Sequence, residues 1–121
     1  MIRGIGMDLI ELNRIKASLD RNERFADRIL TENEQESYGS LPSFNRRVEY
    51  IAGRFAAKEA FAKAVGTGIG RLSFQDIEVL NDSNGAPVLT AKGYEEYNIF
   101  VSITHSKEYA AAQVVLETEG T

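Results

Sequence analysis

The sequence predicts an α+β fold, a single domain over residues 1–121 in which a largely antiparallel sheet packs on a long central helix. Three observations predict this fold. A short apolar run opens the chain at 2–10, a strongly helical stretch covers 45–65, and alternating apolar segments follow in the second half. A strand, then helices, then a run of strands is the element order typical of the α+β class.

The first half is predicted to hold the opening strand and the helices. Gly4 and Gly6 weaken that strand, but they permit close approach of another backbone or of a ligand. Four helices are predicted after it. The first lies near 12–19, and the second runs from a capping box at Asp20 and Glu23 to about Arg28. The third begins with a capping box at Thr31 and Glu34, and the fourth covers 45–65 and ends in a left-handed cap at Gly66 or Gly68.

The second half is predicted to be mainly strands. The predicted elements are a strand at 74–80, a turn at 81–85, its hairpin partner at 86–89, a short helix at 92–97, and strands at 100–104 and 109–116 joined by a tight loop at 105–108. Residues 117–121 are expected to be frayed.

Composition limits the classes of function. The hydrophobic fraction of 43% and the charged fraction of 26% are those of an ordinary soluble protein, without a membrane span or a signal-peptide pattern. The absence of cysteine is compatible with a cytoplasmic setting and removes thiolate chemistry. A single histidine excludes multi-histidine metal sites within one chain. A divalent metal would therefore need oxygen ligands, which favours magnesium, manganese or calcium.

Charge is unevenly distributed along the chain. The net charge of -4 gives no reason to expect nucleic-acid binding, yet residues 1–30 contain six of the 14 basic residues. Arg14, Arg21, Arg24 and Arg28 are clustered there. Such a basic surface on an acidic protein suggests an acidic macromolecular partner or a phosphate-bearing ligand. The alternative is a solvated helix surface.

Glu59 is the most informative residue of the helix at 45–65. At about 100° per residue it falls on one face with Val48, Ala52, Phe55 and Ala62, the face predicted to contact the core. An ionised carboxylate placed there needs a cation, a metal or hydrogen-bond donors. A structural salt bridge would also satisfy this requirement.

Two further segments place polar groups in apolar surroundings. Asp8 ends the opening strand, and Ser102-Ile103-Thr104-His105-Ser106 ends a later strand with hydroxyls and the imidazole. Asp8 and Glu59 together would form the oxygen-rich site that magnesium prefers. Arg54, Lys58 and His105 are the cationic or potentially cationic groups able to hold phosphates.

Three motifs resemble those of the holo-acyl-carrier-protein synthases, short bacterial members of the 4'-phosphopantetheinyl transferase superfamily. They are Gly4-Ile5-Gly6-Met7-Asp8 with Arg14-Ile15 following, Arg54-Phe55-Ala56-Ala57-Lys58-Glu59-Ala60, and Val101-Ser102-Ile103-Thr104-His105-Ser106 followed by Tyr109-Ala110-Ala111-Ala112, with Asn84-Gly85-Ala86-Pro87 between the last two. The resemblance covers essentially the whole chain and implies the 4'-phosphopantetheinyl transferase fold.

The resemblance implies that 4'-phosphopantetheine is transferred from coenzyme A to a serine of apo-acyl carrier protein, releasing adenosine 3',5'-bisphosphate and supporting fatty acid biosynthesis. By family analogy Asp8 and Glu59 bind magnesium, and Lys58 steadies the pyrophosphate or the leaving phosphate. Glu59 or a metal-bound water accepts the proton of the carrier serine; the sequence does not choose between them.

The resemblance also assigns the remaining candidate residues. Candidates for coenzyme A are Arg54, Lys58, Gly85, Pro87, Thr104, His105 and Ser106; candidates for docking the acidic carrier are Arg14, Arg21, Arg24, Phe25 and Arg28. It implies a homotrimer with active sites at the subunit interfaces. Two alternatives stay open: another magnesium-dependent phosphoryl transferase, and a non-catalytic module in which Glu59 is a structural ion-pair residue.

Overall fold

The computed structural model describes residues 1–68 and 72–119. Its elements in chain order are β1 (Ile2–Glu11), α1 (Leu12–Arg21), α2 (Phe25–Ile29), α3 (Glu32–Gly39), α4 (Phe44–Val65), a 3-10 turn (Phe74–Asp76), β2 (Ile77–Asn81), β3 (Pro87–Ala91), β4 (Asn98–His105) and β5 (Tyr109–Glu117). No helix in the described ranges is long and apolar enough to cross a membrane.

Two antiparallel sheets flank the long helix. One has the strand order β1-β5-β4, and the other pairs β2 with β3. The inner face of the larger sheet packs on α4 with small and branched side chains of β5: Ala110, Ala112, Val114 and Leu116, all buried. The predicted α+β class and the antiparallel pairing are confirmed.

The predicted long helix is confirmed as α4. Ser43 caps its first turn by accepting a hydrogen bond from the backbone amide of Arg46, and Gly66 ends it in the left-handed region at φ 91°. Its buried side is wider than the predicted stripe. Ile51, Ala56 and Lys58 are fully buried as well, because the helix is surrounded by the sheet, α1–α3 and the β2–β3 hairpin.

Several local predictions were wrong. Asp20 does not open a helix, since α1 continues through it and α2 starts at Phe25 without a side-chain cap. Residues 92–97 form turns, and 74–76 a 3-10 turn instead of a strand. Residues 117–121 were expected to be frayed, but strand β5 includes Glu117. Residues 120 and 121 lie outside the described range. These short segments have weak local preferences, so tertiary contacts decide their conformation.

The outer face of the larger sheet is apolar and exposed. Ile5, Met7 and Leu9 of β1 are 60%, 62% and 63% exposed, and Phe100 of β4 is 56% exposed. A contiguous apolar surface of this kind on a protein usually marks an interaction site.

Candidate active site

Asp8 lies on the face of β1 that contacts α4. From Gly4 to Ile10 the residues with even numbers face the helix, and Asp8 pairs in register with Ala112 of the central strand β5. Its carboxylate accepts a hydrogen bond of 2.9 Å from Nζ of Lys63, which also donates to the Met7 carbonyl at 3.0 Å. Asp8 is thus tied to the last turn of α4.

Glu59 lies beside Asp8. The pKa of the Glu59 carboxyl is raised, first by burial and then by the charge of Asp8, while Lys63 opposes the shift. The strand-end aspartate and the helix glutamate of one chain therefore lie close enough for the charge of one to act on the other. We call Asp8, Glu59 and Lys63 the acidic cluster.

Lys63 was missed by the sequence analysis. Its spacing contained the signal, because residues i and i+4 share one face of a helix, and Lys63 follows Glu59 by four positions. Its side chain is 52% exposed. It is therefore the cation that the acidic cluster presents to solvent.

Lys58 does not reach the acidic cluster, contrary to expectation. Its ammonium is fully buried on another side of α4, 2.6 Å from Oε1 of Glu34. Its other two hydrogen bonds go to the carbonyls of Ile29 at 2.6 Å and Phe74 at 3.0 Å. All three donors of the ammonium are used, so Lys58 has a structural position and no donor left for a phosphate.

A second group of candidates lines a cleft of about 380 Å³. We call it the basic cleft. Its charged side chains are Arg46, Glu49, Arg54 and His105. His105 Nε2 and Arg46 Nε lie 3.7 Å and 4.0 Å from the Glu49 carboxylate. Arg46 and Glu49 were not singled out from sequence, because charges in the first turns of a helix are usually solvated surface.

Arg54 forms the wall of the basic cleft. It is buried, and its guanidinium lies 4.0 Å from the ring centroid of Tyr50. It donates to the Val79 carbonyl and to the Asn81 side chain. These bonds use two of its five donors, and the planar group is held in a fixed orientation.

The remaining coenzyme candidates surround this cleft unevenly. Thr104 and Ser106 line a separate recess of about 300 Å³ with His105. The Ser106 hydroxyl accepts the Tyr109 amide and shapes the β4–β5 turn. Pro87 pairs with Asn81, so the β3 start adjoins Arg54, and Gly85 adopts φ 83° in the preceding turn.

The acidic cluster lies towards the C-terminal end of α4, whereas the side of the basic cleft that holds Glu49 and His105 lies towards its N-terminal end. Glu49, which contacts His105, precedes Glu59 by ten residues, or about 15 Å along the helix axis at 1.5 Å per residue. One chain therefore does not bring His105 to Asp8.

Four arginines between positions 14 and 28 lie on one exposed segment. Arg14 and Arg21 are on α1, Arg24 precedes α2 and Arg28 is within it; all four are exposed. Within 1–68 and 72–119 none of the four is within 4.0 Å of a carboxylate. Phe25 is partly buried against the core between them.

The family model of the 4'-phosphopantetheinyl transferase superfamily matches residues 4–114. The chain belongs to this superfamily. Among its curated relatives, the holo-[acyl-carrier-protein] synthase of Oceanobacillus iheyensis is 65% identical to this chain over 118 residues, which is 98% of each sequence. The synthase of Bacillus subtilis is 58% identical over 118 residues, 97% of each chain.

Solved structures of the superfamily have the same fold. A holo-(acyl-carrier-protein) synthase from Bacillus anthracis, in complex with CoA (3',5'-ADP), matches with a TM-score of 0.90 and 56% identity, covering 98% of this chain and 99% of that one. The synthase of Helicobacter pylori in complex with coenzyme A matches with a TM-score of 0.82 and 32% identity, covering 93% and 99%. The resemblance predicted from the three motifs is confirmed.

Proposed function

We propose that the protein, with residues 1–121 as one catalytic domain, transfers 4'-phosphopantetheine from coenzyme A to a serine hydroxyl of apo-acyl carrier protein, releasing adenosine 3',5'-bisphosphate. The observation that carries the proposal is the acidic cluster. Asp8 comes from the first family motif and Glu59 from the second, and both contribute charge to one site. That site lies in a chain that matches holo-[acyl-carrier-protein] synthases over almost its full length.

Asp8 and Glu59 fit a magnesium ion. Burial and the charge of Asp8 raise the pKa of Glu59, and Lys63 can neutralise only one of the two carboxylates, so the pair favours a bound cation. No group of three or more potential ligands occurs in the described residues, but magnesium needs only one or two carboxylates alongside water and phosphate oxygens. When bound, magnesium supplies charge stabilisation to the pyrophosphate.

The residues of the acidic cluster then have separate tasks. Asp8 and Glu59 hold the cation site, and Lys63, exposed beside them, contacts the phosphates as a fixed positive charge. Glu59 is also the candidate acceptor for the proton of the carrier serine.

The basic cleft is proposed to hold the adenosine 3',5'-bisphosphate portion of coenzyme A. Arg46, Arg54 and His105 supply cationic or potentially cationic donors, and the volume of about 380 Å³ suits part of such a ligand. The Glu49 carboxylate lies 3.7 Å from His105 Nε2 and 4.0 Å from Arg46 Nε. Gly85 and Pro87 are proposed to complete the walls of this site, and Thr104 and Ser106 to contact the same ligand portion from the separate recess that shares His105.

The exposed arginines of α1 and α2 are proposed to dock the acyl carrier protein, an acidic partner. Among the described residues no carboxylate lies within 4.0 Å of the guanidinium groups of Arg14, Arg21, Arg24 and Arg28, so their charge is available to the carrier. Phe25 provides an apolar contact among them. Complementary charge of this type mainly accelerates association.

We propose a homotrimer in which neighbouring subunits complete each active site. Two observations support this proposal. The acidic cluster and the basic cleft are separated along α4, and the outer face of the larger sheet exposes Ile5, Met7, Leu9 and Phe100. Burying that face between subunits removes apolar area from water and brings one chain's basic cleft to another's acidic cluster. A cytoplasmic role in fatty acid biosynthesis is part of this proposal.

The decisive experiment is mass spectrometry of a carrier protein. Purified protein is incubated with coenzyme A, magnesium and apo-acyl carrier protein, and the carrier is weighed. We expect the mass of the carrier to increase by one phosphopantetheinyl group, and no increase when a chelator removes the magnesium. An unmodified carrier, under conditions where it is modified by an authentic synthase, would contradict the proposal. Hydrolysis of coenzyme A without transfer would indicate a different phosphoryl-transfer enzyme.

A further inference from the structure

Strand β1 packs directly against the backbone of α4. A Cβ atom built on Gly6 would lie 1.8 Å from the Ala60 carbonyl oxygen and 2.7 Å from the Ala64 amide nitrogen. One built on Gly4 would lie 2.0 Å from the Ala64 carbonyl oxygen. Ordinary contacts begin near 3.4 Å. Because the obstructing atoms belong to the helix backbone, no side-chain rotation relieves the clash.

This close packing occurs beside the acidic cluster. Gly6 precedes Asp8 by two residues on the same face of β1, a separation of about 7 Å. The helix residues next to Gly6 are Ala60 and Ala64, which directly follow Glu59 and Lys63 in the sequence. The 2.9 Å and 3.0 Å hydrogen bonds of Lys63 to Asp8 and to the Met7 carbonyl span the same strand–helix gap. The distance between β1 and α4 thus sets how far Asp8 on the strand lies from Glu59 and Lys63 on the helix.

We propose that Gly4 and Gly6 are positioning residues for transfer: the missing side chains let β1 lie on α4 at the depth that brings Asp8 to Glu59 and Lys63. The inference rests on the proposed function of this cluster. An added methyl group at Gly6 lifts β1 by roughly 1 Å or more, and misplacement by about 1 Å lowers turnover about 100-fold.

Gly4 and Gly6 differ in a way that makes the inference testable. Gly4 is two residues farther from Asp8 and contacts Ala64, one residue before the last residue of α4. Helix ends yield more easily than helix interiors. Gly4→Ala is therefore expected to fold more readily than Gly6→Ala and to reduce turnover less.

The test compares Gly6→Ala and Gly4→Ala with Val114→Ala. Val114 is fully buried and pairs with Gly6 across β1 and β5, so its truncation destabilises the same region without inserting an atom between β1 and α4. Each variant is measured by thermal unfolding, by kcat and KM for the carrier, and by calorimetric affinity for coenzyme A with and without magnesium.

We expect kcat per folded molecule to fall about 100-fold in Gly6→Ala and several-fold in Gly4→Ala, with carrier KM unchanged. Magnesium should no longer increase coenzyme A affinity in Gly6→Ala. Val114→Ala should melt earlier but keep wild-type kcat. Wild-type kcat in a folded glycine variant, an equal kcat loss in Val114→Ala, or failure of both glycine variants to fold would each overturn the inference. Absence of transfer by the wild-type protein would instead refute the proposed function.

Discussion

Nζ of Lys58 and Oε1 of Glu34 lie 2.6 Å apart, and both side chains are completely shielded from solvent. The carboxylate also accepts the backbone amides of Thr31 at 2.8 Å and Val79 at 2.6 Å. Burial lowers the pKa of Lys58, and the charge of Glu34 opposes that shift. The second family motif thus contains two adjacent charges with different tasks: Lys58 joins α4 to α2, α3 and the 3-10 turn, and Glu59 belongs to the acidic cluster.

Lys58→Met should destabilise the protein by about 3–5 kcal/mol, because it leaves the Glu34 carboxylate buried without its cation. The free energy of unfolding in urea measures the loss. Adding Glu34→Gln should recover part of it. Turnover per folded molecule should survive in the single variant, and a large loss of turnover in folded Lys58→Met would show that Lys58 acts in the site after all.

Glu59→Gln should abolish transfer while leaving the protein folded, because an amide is a poor magnesium ligand of nearly the same shape. Stability should not fall. The pKa of Glu59 is raised above the ordinary 4.5, so the folded state holds its proton more tightly than the unfolded state does. Wild-type stability is therefore lost as pH rises through that pKa, and the variant does not share the loss.

The measurement is the melting temperature of metal-free wild type and Glu59→Gln between pH 4 and pH 7. The variant's advantage should grow with pH and stay below about 1 kcal/mol, since the carboxylate is partly exposed. A variant that is 3–5 kcal/mol less stable at pH 7, the range for breaking a buried pair, would instead make Glu59 a structural ion-pair residue.

Reversing charge at Arg14 or Arg24 should raise KM for the carrier about tenfold or more, because like charges then oppose docking. Coenzyme A affinity should not change. The wild-type carrier KM should rise with salt, and the variants should show a weaker salt dependence. Lys92→Glu is the matched control, since Lys92 is exposed in the turn after β3. Unchanged carrier KM in both arginine variants would contradict the docking proposal.

Met7→Asp should dissociate the proposed trimer, because it places a charge on the apolar outer face of the sheet, where Met7 is 62% exposed in the single chain. Sedimentation measures the change in mass. Transfer should fall with the trimer fraction. A wild-type protein that sediments as a fully active monomer would refute the interfacial arrangement.

Mixing two inactive variants tests whether subunits share a site. Glu59→Gln removes the acidic side and His105→Ala the basic side, so neither variant alone should transfer. An equimolar mixture that exchanges subunits randomly should restore about a quarter of the sites, since one interface in four pairs two intact halves. Activity that stays absent after proven subunit exchange would place both groups in one chain's site.

Prediction from sequence succeeded where local signals were strong. The α4 boundaries were correct within about one residue because Ser43 and Gly66 are good caps, and the Thr31–Glu34 capping box is present as predicted. The separate roles of neighbouring charged residues were harder to predict from the sequence. Lys58 and Glu59 differ by one position, about 100° around the helix. Only the surrounding elements show that Lys58 is buried against Glu34, while Glu59 is half-buried where the charge of Asp8 raises its pKa.

By itself the sequence determined the fold class, the family and the two carboxylates of the acidic cluster, because helical periodicity, caps and ordered motifs are local properties of the chain. Tertiary structure alone decided which cations accompany them. It assigned Lys63 to Asp8, buried Lys58 with Glu34 and placed the basic cleft towards the other end of α4. Burial and charge pairing depend on which segments fold against each other, and these contacts join residues distant in sequence.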